Sequence, residues 1–187
     1  AIADAIIAIA GVKLNESNPV VTAFAESFSR IVIAPSRSLA KLDPAKDTDE
    51  IKRLTAINRA SMKALNTAKK SGRIILVFPS GTRYRPWEPE TKRGVREIDS
   101  YIKSFDNMCL VSLNGLMLHM QEGRMEEDLI TKADVLVEAG PVISCKEFRN
   151  RVRSGTVDSN DPKQAVVDAI MDELEKMHAN NDQFVKN

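Results

Sequence analysis

Little in this chain announces chemistry. Its 187 residues include two cysteines, two histidines, one tryptophan and eight glycines. Cys109 and Cys145, in apolar or capping surroundings, make neither a disulfide framework nor a metal-binding set, so both are expected as reduced core thiols of a cytosolic protein. A surplus of one charge is lacking too, since 27 basic side chains stand against 26 acidic ones for a net charge of +1. Without a global field to draw in nucleic acid, any anion site has to be local, built by a few converging arginines. No apolar run reaches the roughly 18 residues that a spanning helix needs, and the longest, Ile2 to Val12, is broken by Asp4. The sequence starts at Ala1, inside that apolar stretch and without the positive flank of a signal peptide, which leads to the expectation that an upstream segment is missing. There is no internal repeat and no low-complexity segment.

What is present suffices for a core. Hydrophobic residues make up 43% of the chain, enough at this length for a single domain over residues 1–187. Arg30 to Ala34 is short, β-branched and stopped by Pro35, the pattern of a buried strand whose loop carries Ser36, Arg37 and Ser38. Asp47 and Glu50 have capping-box spacing, and Ile51, Leu54, Ile57, Ser61, Leu65 and Ala68 follow at helical intervals up to Gly72. This long amphipathic helix leads directly into the apolar run Ile74 to Phe78, an order that predicts a crossover between two parallel strands. Met108 to Leu113 and Val135 to Ala139 read as two more strands, the second bounded by Gly140-Pro141. Arg30 to Ala34, Ile74 to Phe78 and Cys109 to Leu113 are expected in one sheet. Ser144 with Glu147 and Asp161-Pro162 with Gln164 mark two helix starts, and the polar tail beyond His178 is expected to fray. The sum is an α/β fold with a mostly parallel or mixed central sheet flanked by helices.

The segment Pro79-Ser80-Gly81-Thr82-Arg83-Tyr84, launched by Ile74 to Phe78, is the most informative stretch. Pro79 and Gly81 punctuate the strand, Gly81 admits close approach to the backbone, and Thr82, Arg83 and Arg85 supply a hydroxyl and two guanidinium forks. In an open α/β sheet ligands lie beyond the carboxyl ends of the strands, where Arg37 is expected to join Arg83 and Arg85 around one phosphate or carboxylate. Tyr84 and Trp87 sit in a basic stretch that could stack single-stranded nucleic acid, but Glu88, Glu90 and Glu97 interleave and cancel the field, so no nucleic acid partner is expected. Trp87 suits either a membrane interface or packing over Pro86 and Pro89.

Phe78 to Arg83 resembles the Phe-Pro-Glu-Gly-Thr-Arg signature of the glycerolipid acyltransferases, with Ser80 where most members have Glu. Arg83-Tyr84-Arg85-Pro86 is similar to the Arg-x-Arg-Pro of the soluble, chloroplast-type glycerol-3-phosphate acyltransferases. Asn18-Pro19 to Ser38 resembles the family segment ending in a Ser-Lys-Lys turn, with Arg37 for the first lysine. Leu54 to Lys63 resembles the helix before the signature, and Leu110 to Leu113 the later Pro-Met-Ser-Leu strand, so the likeness covers about residues 10 to 145. The resemblance implies transfer of an acyl group from acyl-carrier protein or acyl-coenzyme A to a hydroxyl of glycerol-3-phosphate or lysophosphatidate. It implies no metal, no organic cofactor, and contact with a membrane from the periphery. The substrate-binding residues it implies are Arg37, Ser80, Gly81, Thr82, Arg83 and Arg85. The family's chemistry uses a His-x-x-x-x-Asp motif, the histidine as general base and the aspartate as its orienting partner. His119 has Arg124 in the aspartate's place and His178 has Gln183. His119 is therefore expected as a satisfied, partly buried residue, His178 as a solvent-facing one, and the catalytic block as lying upstream of this chain. The alternative reading is a non-catalytic relative that retains phosphate binding.

Overall fold

The computed structural model describes residues 2–15, 22–23, 26–123, 127–155 and 160–185. Asn18, Pro19 and Arg124 lie outside the described residues. The chain divides into two compact units, Ala1–Gly81 and Thr82–Asn187. No helix among the described residues is long and apolar enough to cross a membrane.

In the first unit a short helix α1 (Ile2–Ala5) precedes strand β1 (Ile6–Gly11). β1 is the middle of a three-stranded sheet, paired in parallel with β2 (Arg30–Ile33) on one side and β3 (Ile74–Leu76) on the other. Between β2 and β3 come α2 (Ser36–Leu39) and the 23-residue helix α3 (Thr48–Lys70). The strand, helix, strand order thus yields parallel strands as expected, but β1, which carried no strand assignment in the sequence, stands between them. α3 buries Leu54, Ser61, Leu65 and Ala68. Leu54 joins Val12 and Ala34 in a core ringed by Val32, Leu39, Leu42 and Ile57. Two polar groups then fix α3 to the end of β2. The Ala34 N–H donates to Asn58 Oδ1 at 2.8 Å while Asn58 Nδ2 donates to the Ala34 carbonyl at 3.0 Å. The Ser61 hydroxyl bonds the Val32 carbonyl.

Two local expectations are corrected here. Asp47 precedes α3 without capping it: its Oδ2 accepts the Asp43 N–H at 2.8 Å, and Glu50 turns to Arg53 at 2.7 and 2.8 Å. A guanidinium offers Glu50 two charge-assisted bonds, more than the single N–H of a capping box. Ile74 to Phe78 is not a buried strand either. Its pairing ends at Leu76, β3 is an edge, and Ile74, Leu76 and Phe78 are 49%, 40% and 56% exposed. Alternating exposure marks an edge strand covered on one face, whereas a strand covered on both would bury the whole run.

The second unit contains a different sheet. β4 (Asn107–Asn114) pairs antiparallel with β7 (Leu136–Ser144), matching Cys109 with Val142, Val111 with Ala139 and Leu113 with Val137. Cys109 to Leu113 therefore does not share a sheet with β2 and β3. Its buried members at the far end are the polar Ser112 and Asn114, so β4 alternates, as an antiparallel strand with one covered face does. β7 also runs past Gly140-Pro141, where it was expected to stop. The register shifts between Cys109 and Val111, opposite Gly140 and Pro141, and such an irregularity tolerates a residue without an N–H. Cys145 is buried as expected, but Cys109 is exposed on the outward side of β4, its thiol donating to the Gly140 carbonyl at 3.2 Å. A small hairpin of β5 (Leu118–His119) and β6 (Leu129–Ile130) lies between β4 and β7 in sequence.

Among the described residues of this unit the α-helices are α4 (Ile98–Ser104), α5 (Cys145–Gly155) and α6 (Pro162–Asn181). Both expected helix starts are present. Ser144 Oγ accepts the Glu147 N–H at 3.4 Å, and Asp161 accepts the N–H groups of Lys163 and Gln164, each at 3.2 Å. α6 buries Val166, Val167 and Ile170. The tail expected to fray is instead tied down. Asn181 is 9% exposed and its Nδ2 donates to Ser112 Oγ and Glu138 Oε2, while Asn114 Nδ2 donates to the His178 carbonyl at 2.8 Å. Amides that pair with a strand's buried polar groups tie down a helix end that composition alone reads as solvated.

Candidate functional site

β3 ends in a tight turn. The Gly81 N–H donates to the Phe78 carbonyl at 2.9 Å, with Pro79 and Ser80 at the turn's centre. Proline pre-sets the backbone at the first central position, and Gly81 follows at φ 59°, the left-handed region that a side chain disfavours. The turn and the glycine lie where the sequence placed them, whereas the strand before them ends at Leu76 and is an edge rather than buried. Ser80 and Gly81 close the first unit. Arg37 belongs to it as well, as the second residue of α2, whereas Thr82, Arg83 and Arg85 open the second unit.

Arg83 forms an ion pair with Asp128, whose side chain is only 4% exposed. The other oxygen of that carboxylate, Oδ1, accepts the Gln121 N–H at 3.1 Å, so Arg83 is joined to the chain that links β5 and β6. Asp128 was not foreseen, for it lies far along the sequence and in no recognisable motif. Arg85 sits in its own small turn, closed by the Glu88 N–H on the Arg85 carbonyl at 2.9 Å, with Pro86 and Trp87 at the centre. Its guanidinium pairs with Glu88 at 2.7 Å, and its N–H donates to Thr91 Oγ1 at 2.8 Å. Lys92 Nζ lies 5.5 Å from the centre of the Tyr84 ring.

Both arginines are therefore engaged with carboxylates, with unequal consequences. The Arg85–Glu88 pair is open to solvent and, like most such pairs, is worth about 0–1 kcal/mol, so an incoming anion exchanges for Glu88 at little cost. Stripping Asp128 from Arg83 would strand a buried carboxylate, which costs about 3–5 kcal/mol.

The histidines lie as expected. His119 is half-buried and its Nε2 is 2.7 Å from Thr131 Oγ1. His178 is exposed on the last turns of α6, 3.9 Å from Asp182. Neither has the orienting aspartate of a His-x-x-x-x-Asp motif. Among the described residues no group of His, Cys, Asp and Glu could hold a metal ion. The turn backbone at the end of the first unit is followed in sequence by two guanidiniums of the second, each engaged with a carboxylate. No family model matches the chain, and no curated protein matches it.

Proposed function

We propose that the chain serves acyl transfer from acyl-coenzyme A or acyl-carrier protein to the hydroxyl of glycerol-3-phosphate, and that Thr82, Arg83 and Arg85 of the second unit receive the acceptor's phosphate. The observation that carries this reading is the pair of guanidiniums, Arg83 and Arg85, that opens the second unit directly after the proline-glycine turn in sequence. Support comes also from the order β2, α3, β3, which matches the order of segments in the acyltransferases the sequence resembles. Glycerol-3-phosphate is preferred to lysophosphatidate on the likeness of Arg83-Tyr84-Arg85-Pro86 to Arg-x-Arg-Pro. In this reading the chain's own residues hold the acceptor. The histidine that deprotonates the attacking hydroxyl in that family, and the aspartate that orients it, have no counterpart in the sequence.

The test is calorimetric titration of glycerol-3-phosphate, joined to a thioester-consumption assay on the longest translation product of the gene. Arg83→Ala alone would strand Asp128, so the informative variant is Arg83→Ala/Asp128→Asn, checked for folding by circular dichroism. Losing a charge-assisted bond worth about 1.5–3 kcal/mol weakens acceptor binding by about tens-fold. Unchanged affinity in the folded double variant removes Arg83 from the site. Acceptor binding without thioester consumption by the longest product leaves a phosphate-binding relative in place of an enzyme.

A further inference from the structure

A cavity of about 470 Å³ in the second unit lies where the end of α4 meets the start of α5, lined by Ile102, Lys103, Phe105, Ser144, Lys146 and Arg149 among others. It has no part in the segment discussed above. Its charge is unbalanced. Behind it Asp99, 1% exposed, accepts bonds from Arg149 Nε at 2.8 Å, Arg149 Nη2 at 3.2 Å and Arg153 Nη2 at 3.3 Å. One buried carboxylate thus serves two guanidiniums, and Arg153 Nε is buried without a hydrogen-bond partner among the described residues. Arg153 itself pairs with Asp99, is 38% exposed and does not line the cavity, so the charge that faces the cavity is that of Arg149 and the two lysines of its lining. Lys103 and Lys146 line the same cavity, and neither pairs with a carboxylate among the described residues. Asp106 is the acid in the lining, so four cations stand against two carboxylates in and behind the cavity. α5 begins at its wall, and the positive end of a helix adds to the same field.

We propose that this cavity binds a small phosphate monoester, with Arg149 as a donor fixed by Asp99 and with Lys103 and Lys146 as mobile charge partners. Arg149 spends Nε and Nη2 on Asp99, which leaves Nη1 for an oxyanion. The volume falls in the range of small-molecule sites, about 300–1,000 Å³, and Ile102 with Phe105 gives the organic part of the ester an apolar wall. Inorganic phosphate satisfies the cations but leaves that wall wet, so an aromatic ester binds more tightly than phosphate alone.

Phenyl phosphate and inorganic phosphate, titrated separately into the full chain and followed by amide NMR shifts, test this. Phenyl phosphate shifts Lys103 and Ser144 to Glu147 with a Kd at or below about 1 mM, and phosphate does so more weakly. Lys103→Gln/Lys146→Gln, both exposed positions, weakens phenyl phosphate by about tenfold or more with the fold intact. The same titrations report separately on Ser80 to Arg85, so a response there alone overturns this cavity and leaves the acceptor reading standing. Equal affinity in wild type and double variant, or unshifted amides from 144 to 147 at about 10 mM ligand, also overturns the proposal. Equal affinity for the two probes overturns the apolar wall's role.

Discussion

The side chain of Asn58, on α3, holds both main-chain polar groups of Ala34, on the end of β2. It accepts from the nitrogen at 2.8 Å and donates to the oxygen at 3.0 Å. An amide is the side chain that does both at once, imitating the missing next strand. Ala34 is buried, so water does not replace these bonds. Asn58→Leu is expected to strand a donor and an acceptor at about 1–3 kcal/mol each. Asn58→Asp keeps the acceptor and loses the donor, and should cost less than Leu. Urea denaturation of the three proteins ranks them; equal stability of Leu and Asn would show that the clamp contributes nothing.

Removing the carboxylate from Asp99 leaves Arg149 and Arg153 without their counter-charge. Asp99→Ala is expected to destabilise by about 3–5 kcal/mol, and a further Arg149→Leu to recover much of that loss. A double-mutant cycle by chemical denaturation measures the coupling. Additive losses would mean that the pair is not a unit.

Gly94 is needed for space. A Cβ there would sit 2.4 Å from Val167 Cγ1 and 3.0 Å from Met171 Cγ, and Val167 is wholly buried. Alanine would gain about 0.4–1 kcal/mol by stiffening the unfolded chain but lose about 1–3 kcal/mol to overpacking. The net expectation is destabilisation of Gly94→Ala, seen as a lower melting temperature. Adding Val167→Ala should make the cost of Gly94→Ala disappear, which a purely conformational effect would not do.

The Asp161 carboxyl is held below the usual aspartate range, first by the Gln164 N–H; desolvation opposes this, and Arg96 and the Lys163 N–H lower it further. A carboxyl lowered in the folded state contributes stability above its unfolded pKa and loses it as pH falls through the folded one. Between about pH 5 and about pH 2 the melting temperature of the wild type should therefore fall more steeply than that of Asp161→Asn. Parallel curves would mean that the charge at the start of α6 is irrelevant to stability.

The elements that could be read from the sequence were those whose signal is local. α3 declares itself by the spacing of Leu54, Ser61, Leu65 and Ala68. The turn at Phe78–Gly81 does so by proline and glycine, and the start of α6 by Asp161-Pro162. Pairings across long separations left no such mark. Nothing near Ile6 says that it will lie beside Ile74, and nothing near Cys109 says that its ladder partner is Val142 rather than a strand of the parallel sheet. At the candidate site the same division holds. Gly81, Arg83 and Arg85 stand out in sequence, but Asp128, which occupies Arg83, is visible only once the chain between β5 and β6 has been folded against it.

The amides at the end of α6 bear on the order in which the protein takes shape during its synthesis. The three strands of the first sheet are all made once Leu76 has emerged, so that unit can form while the rest is still being translated. The second unit has no such independence. Ser112 and Glu138 receive their partner only with Asn181, and Asn114 only with His178. Until α6 has left the ribosome, Ser112 and Asn114 are met by water alone and the packing of Val166, Val167 and Ile170 is absent. A pause in translation before Asn181 would hold the nascent chain half folded, and that interval is when a chaperone would find it.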